Sequence, residues 1–377
     1  MRLLSIVSES LRNIGAGTSR AFLWCLVTML VGVLLGGVDA VTIIGEEREA
    51  AARIAAYADV RVLVAQTAVV DGATCDLITG AAGGPDATGA LRPGPQITMR
   101  ATPGRDVSSY EVTPGFLRLL AAGSTTADAT GVWVSVELAR NFGLSRGARL
   151  ETTAGDATVA GVYDWPNDGR DTRLAYAMVV PVSASASPFV ECWAKQWPVS
   201  GRIDELLNEA VIASASSGAS AGGADTTGAS EASMRMPAGI APLNRSFDSR
   251  YDANARYRSR LTRHAPVAAL VAGMLIGMIG VHRRRLEYAG ALHSGQRKAD
   301  QMLGVAIEVA IWGGLGTLSA LAVLTAACVR LSPSDPDAVL FAAARVPAAL
   351  LAGAMIGSLL MVATVRESRL FRYFKKR

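Results

Sequence analysis

The sequence predicts an α-helical membrane protein with four transmembrane helices, one followed by three, and a large extracytoplasmic α+β domain inserted between helices 1 and 2. Three observations predict it. Half of the 377 residues are hydrophobic and the mean hydropathy is +0.30, higher than a soluble protein with a polar surface normally shows. The apolar residues gather in four charge-free blocks, 21–38, 265–281, 309–329 and 346–365, each near the ~20 residues that cross a hydrocarbon layer as helix. Charge is divided between segments: residues 1–20, 282–301 and 366–377 together hold 14 basic and four acidic residues, whereas 45–264 hold 21 and 24.

Lysine and arginine near helix ends mark the cytoplasmic side, so both termini and the 282–301 loop are expected inside. The pI near 9.2 then reports topology rather than nucleic-acid binding. The predicted organisation is a cytoplasmic interfacial helix (1–20), transmembrane helix 1 (21–44), an extracytoplasmic domain with stalk helices (45–264), helix 2 (265–281), a cytoplasmic loop (282–301), helix 3 (302–329), an outside loop (330–345), helix 4 (346–365) and a basic tail (366–377). Location in the cell membrane follows. Asp39 lies where a signal-peptide cleavage site would need small residues, so helix 1 is read as an anchor.

In residues 1–20, Leu3, Leu4, Val7, Leu11 and Ile14 recur at helical spacing, which suits a helix lying along a lipid surface. Residues 45–60, rich in Ala, Glu and Arg, should carry helix 1 outward as a stalk. Val60–Val64 and Val69–Val70 read as strands, and the Gly/Pro-rich run 80–95 as a loop. Three segments follow: 112–120 as a turn into a short helix, 131–150 as a strand into a helix, and 157–166 as a strand. Cys75 and Cys192 both fall in the extracytoplasmic segment, where disulfides persist, and are expected to pair; Cys25 and Cys328 fall within membrane helices. A 117-residue loop closed in this way is worth about 4–5 kcal/mol in the chain-entropy picture. Residues 202–213 read as an amphipathic helix, 214–233 as a flexible linker with almost nothing to bury, and 247–264 as a helical return stalk. Trp165, Trp193 and Trp197 stand near prolines and read as core or corner residues rather than a groove. His264, His282 and His293 are too scattered for a metal site.

The sequence carries no GxxxxGK[ST], HExxH, GxSxG or dinucleotide fingerprint. An enzyme is therefore not expected, no cofactor is expected to bind directly, and ATP with Mg would belong to a partner chain. The 282–301 loop has Arg283, Arg284, Arg285 and Glu287 at one end, Arg297 and Lys298 at the other, and Leu286, Ala289, Gly290 and Leu292 between them. That is a small apolar ridge flanked by charge, which suits a protein partner or lipid phosphates. Glu308, an acid inside helix 3, is a functional candidate by default and is read as a packing contact between helices. Gly313, Gly314 and Gly316, and Gly353 with Gly357, would permit close helix contact, including across a dimer.

With Arg284, Glu287, Ala289 and Gly295 at the spacing of an RRxEIxxLRALGAS loop, the chain resembles the MacB/FtsX-like permeases of ABC transporters (type VII). Thr113-Pro114-Gly115-Phe116, residues 132–139 and Val159-Ala160-Gly161-Val162 resemble that family's SPxYF, VxISExLA and VxGV signatures in the same order. Leu292 and Ser294 depart from the loop pattern. The resemblance implies a permease subunit that couples hydrolysis by a separate ABC ATPase to movement of its extracytoplasmic domain, for export or extraction of a peptide, lipoprotein or antimicrobial. It implies a second permease copy or a relative as dimer partner, with membrane lipid around it and no nucleic acid. Residues Arg283, Arg284, Arg285, Leu286, Glu287, Ala289, Gly290, Leu292, Gly295 and Arg297 would form the contact with the ATPase. The alternative is an FtsX-like signalling or scaffold protein that regulates a cell-wall enzyme.

Overall fold

The computed structural model describes residues 3–66, 68–100, 102–121, 127–153, 155–186, 188–212, 238–248 and 251–366. The segment read as a linker, 214–233, and the tail from 367 lie outside them. The chain divides into two compact units, residues 1–51 with 253–377, and residues 52–252.

The first unit is helical: α1 (Leu3–Gly15), the start of α2 (Ala21–Ala55), α7 (Ala253–Ser259), α8 (Ala265–Arg283), α9 (Arg285–His293), α10 (Lys298–Leu331) and α11 (Pro336–Thr364). Four helices are long and apolar enough to cross a membrane: α2, α8 with the turn before it, α10 and α11. Three boundaries differ from expectation. Helix α11 starts ten residues before 346, because Asp335 caps it by accepting from the Ala338 amide (3.0 Å) and Pro336 occupies its first turn. The connection between α10 and α11 is thus four residues rather than 330–345. Glu47 of α2 holds that turn, accepting from the Ser332 hydroxyl (2.7 Å) and from the amides of Ser334 (3.0 Å) and Asp335 (2.9 Å). The return stalk is not one helix either. Arg260 is extended and buried, its guanidinium 3.4 Å from Asp39 and over the Tyr257 ring, and a short turn at Leu261–His264 precedes α8.

Glycine sets how closely these helices approach. On α8, a methyl group at Gly273 or Gly277 would overlap the Leu350 and Ala354 carbonyls of α11; on α11, one at Gly353 or Gly357 would overlap the Leu270 and Met274 carbonyls of α8. The Gly353/Gly357 pair therefore serves a contact within the chain. Its counterpart, Gly273-xxx-Gly277, stands in the sequence at the same spacing and was not recognised there. Gly316 abuts the Cys25 carbonyl of α2, Gly313 abuts Leu351, and Gly314 faces open space. Leucine and valine line the outward stripes, Leu26, Leu30 and Leu34 on α2 and Val267, Val271 and Leu275 on α8, as lipid contact requires.

The second unit is a mixed sheet with helices on both faces. Among the described residues its strands run in the order β12 (Ala238–Pro242), β1 (Val60–Ala65), β10 (Glu191–Lys195), β3 (Ala87–Pro93), β5 (Asp106–Val112), β9 (Ala177–Pro181), β6 (Val132–Ser135), β8 (Gly155–Tyr163), β7 (Arg149–Thr152), and β4 (Ile97–Thr98) also pairs with β5. The pairs β5–β9 and β6–β8 are parallel and the others antiparallel. Alternation along β1 sends Val60, Val62 and Val64 to the face covered by α4 (Pro114–Leu120), and Leu63 and Ala65 to the face covered by α3 (Gly72–Leu77) and α6 (Gly201–Glu209). Arg61 makes a paired contact with Asp204 of α6 (3.0 and 2.7 Å). A third core joins α5 (Val136–Phe142) to the β6, β7 and β8 end. The helix expected over 202–213 ends at Glu209, and Val211–Ile212 (β11) pairs with Val69–Val70 (β2).

Residues 80–95 are not a loop throughout, since they contain the interior strand β3. Its small residues read as loop composition, but Gly89 is required where the α4 backbone crosses: a methyl there would overlap Phe116. Cys75 of α3 is bonded to Cys192 of β10, tying that helix to the sheet, while Cys25 and Cys328 are free. Trp165 and Trp193 are core residues 6.2 Å apart, and Trp197 stacks on Tyr251.

The motif-like segments of this unit have structural roles. Asp76 accepts from the Thr113 hydroxyl (2.5 Å) and the Gly115 amide (3.1 Å), while Thr113 accepts from the Ala90 amide (2.9 Å), so residues 113–116 dock the start of α4 onto α3 and β3. Ser135 caps α5 through the Leu138 amide and Gly143 closes it in the left-handed conformation. Gly161 makes room for the Trp133 ring.

Two predictions follow from this packing. Gly357→Leu should lower the thermal unfolding temperature of the lipid-embedded chain sharply, through overpacking of about 1–3 kcal/mol or more, whereas Gly314→Leu should leave it within experimental scatter. The second concerns Asp59, which is buried with no hydrogen bond to either carboxylate oxygen and with Lys195 only at 3.8 Å. Burial pushes its carboxyl up to about 6, against the opposing pull of Lys195. A pKa raised on folding favours the folded state while the group is protonated, below the ordinary carboxylate range, and that advantage is lost as pH rises through about 6. Asp59→Asn should therefore gain stability relative to the native chain between pH 5 and 8, by about 1–3 kcal/mol, read as slower hydrogen exchange at β1.

Candidate functional site

The site is at the end of the helical unit that carries α9. Helix α8 stops at Arg283, and α9 begins two residues later and closes at His293, with Gly295 in the left-handed region (φ 93°) turning the chain toward α10. A nine-residue helix between two long apolar ones needs side-chain contacts to hold its angle. Those contacts converge on Glu308 of α10.

Glu308 accepts from Arg284 Nη1 at 2.6 Å and from Asn13 Nδ2 of α1 at 3.2 Å. Arg284 also donates through Nε to Glu287 (2.9 Å) and lies over the Tyr288 ring. Gln301 Nε2 donates to the Tyr288 carbonyl (2.9 Å), and the Ser10 hydroxyl reaches the Ile6 and Gly304 carbonyls. Burial pushes the Tyr288 phenol well above its ordinary value, so it stays neutral beside the ion pair. Side-chain exposure is 13% for Arg284 and 8% for Glu308, so this pair is shielded from water and from screening by salt.

The chain matches no family model and no curated protein. Among solved structures, a crystallised domain from Porphyromonas gingivalis ascribed to a permease aligns with 41% of this chain and 82% of its own, at 16% identity and a TM-score of 0.30. That likeness is too slight to carry an argument, and the site rests on its own geometry.

The residues expected to meet a partner divide into two groups. Arg283, Glu287, Gly295 and Arg297 are exposed, and Arg285, Leu286, Gly290 and Leu292 are half-exposed on α9. Arg284 and Ala289 turn inward: Ala289 is fully buried, which interrupts the expected apolar ridge, and the Arg284 guanidinium is committed to Glu308 and Glu287. Glu308 of α10 contacts Asn13 of α1 and Arg284 at the start of α9. Helix α1 does not present one clean apolar face to a lipid surface: Ile6 and Ser10 are buried, with Ser10 reaching α10, while Leu4 and Leu11 are exposed. Sequence reasoning missed Asn13, Tyr288 and Gln301, whose partners lie 13 to 295 residues away. No spacing rule reports such contacts.

Glu308→Gln should destabilise the lipid-embedded chain by about 3 kcal/mol, the cost of stranding a shielded guanidinium. The double variant Glu308→Leu/Arg284→Met should lose less than the sum of its single changes when thermal unfolding is compared across the full cycle.

Proposed function

We propose that this chain is a multi-pass membrane subunit of the MacB/FtsX-like permease type, with the α9 end in the cytoplasm, residues 52–252 outside, and a separate ATPase docking on α9. The observation that carries the reading is that α9 is short, carries exposed Glu287 and half-exposed Leu286 and Leu292, and is anchored at its start to α10 and α1 through Arg284, Glu308 and Asn13. A load applied to such a helix is passed to its neighbours instead of being absorbed by a loose loop. The positive charge of the 282–301 segment supports the orientation. The load would reach residues 52–252 through α2, which continues as helix to Ala55, and would move a peptide, lipoprotein or antimicrobial substrate. A second permease copy or a relative would complete the assembly.

The test is the ATPase that co-purifies with the full chain from its native membrane. Leu286→Asp and Arg285→Glu, both half-exposed on α9, should reduce the bound ATPase about ten-fold while leaving thermal unfolding unchanged. Full retention of ATPase and of coupled hydrolysis in both variants would overturn the reading. Arg284→Glu is not a clean probe, since it breaks the internal pair.

A further inference from the structure

Between Ala253 and His264 the chain carries four arginines, Arg256, Arg258, Arg260 and Arg263, and no acidic residue. Helix α8 follows at once, and its 19 residues span about 28 Å, close to the thickness of a hydrocarbon core. The arginines therefore stand at headgroup level. In the orientation proposed above this end faces away from the cytoplasm, the side on which lysine and arginine are sparse beside membrane helices. Four cations at such a place need counter-charges.

The chain supplies them for two. Arg256 lies against Glu49 (2.7 Å) and Glu46 (3.9 Å) of α2, and the buried Arg260 against Asp39 (3.4 Å). Arg258 and Arg263 are exposed and meet no carboxylate among the described residues. Arg263 donates to uncharged acceptors, through Nη1 to the Arg258 carbonyl (2.9 Å) and through Nε to His264 Nε2 (3.1 Å), which holds its guanidinium beside Arg258. The second observation is apolar. Leu261, between these two arginines, is 87% exposed, more than any other large hydrophobic side chain among the described residues. Six residues on, Val267 begins the outward row of α8 that continues through Val271, Leu275 and Ile279. Cationic and apolar exposure thus meet at one turn, as phosphates and acyl chains meet at the edge of a leaflet.

We propose that Arg258 and Arg263 hold the phosphate of an anionic phospholipid in the leaflet at the start of α8, with Leu261 set among its acyl chains. A guanidinium carries several donors and no acceptor, and it pairs with phosphate oxygens through charge-assisted bonds. An acidic protein surface would neutralise the two cations without accounting for Leu261, which leads into a lipid-facing row. The lipid completes at this turn what Glu46, Glu49 and Asp39 do within the helical unit, a counter-charge for every arginine of the segment. The inference does not depend on an ATPase docking at α9.

The test holds the full chain in phosphatidylcholine nanodiscs, with a water-soluble fluorescent maleimide attached through Ser259→Cys, an exposed position beside Arg258. Phosphatidylglycerol bearing a nitroxide near the top of one acyl chain should quench the label at about ten-fold lower mole fraction than phosphatidylcholine bearing the same nitroxide. In Arg258→Gln/Arg263→Gln the two lipids should quench alike, with thermal unfolding in phosphatidylcholine unchanged. Equal quenching by the two lipids with both arginines in place would overturn the proposal, as would a preference that survives in the glutamine variant. Loss of the preference on adding inorganic phosphate at constant ionic strength would assign the site to a soluble anion and overturn it as well.

Discussion

The helical unit depends on the contact between α8 and α11, where Gly273, Gly277, Gly353 and Gly357 bring two backbones within reach of each other's carbonyls. In lipid no water is released when apolar helices meet, so association draws on van der Waals contact and polar links. Glycine removes the side chains that would hold the axes apart. Once α8 and α11 are joined, α2 and α10 complete the bundle through smaller versions of the same device, Gly36 against Leu324 and Gly316 against the Cys25 carbonyl.

Polar contacts then fix the two ends of this bundle. At one end the Arg284–Glu308–Asn13 network sets the angle of α9 and draws α1 against α10. Toward the other end of α2, Asp39 meets Arg260 and Glu47 accepts from the turn between α10 and α11. Buried ion pairs contribute little net stability because desolvation offsets the attraction. Their effect is to exclude other arrangements, since a displaced helix would strand a charge in a medium without water. For a protein proposed to pass a load from one helix to the next, a bundle with a single arrangement is the useful property.

In the sheet unit the same economy of small residues appears in another form. Gly89 and Gly161 are required because α4 and the Trp133 ring come close to the strands, and Asp76 organises residues 113–116 by accepting from the Thr113 hydroxyl and the Gly115 amide, which reach it only after folding. Segments that resemble family signatures in the sequence are thus caps and packing points.

Local chemistry alone determined the four apolar helices, the disulfide between Cys75 and Cys192, the strand at 60–64 and the strand-into-helix order within 131–150, because hydrophobic runs, β-branched alternation and the two cysteines of one segment act over short distances or by count. The start of α11 at Pro336 and strand β3 were misjudged for a related reason: a capping aspartate and a glycine-rich strand resemble loop unless the neighbour they serve is known. Only the tertiary structure decided that Arg284 faces inward, that Gly357 meets Met274 of the same chain, and that Asn13, Gln301 and Glu308 line one cleft. These are contacts between residues up to 295 apart, and their energies depend on burial and geometry that exist only after the helices have packed.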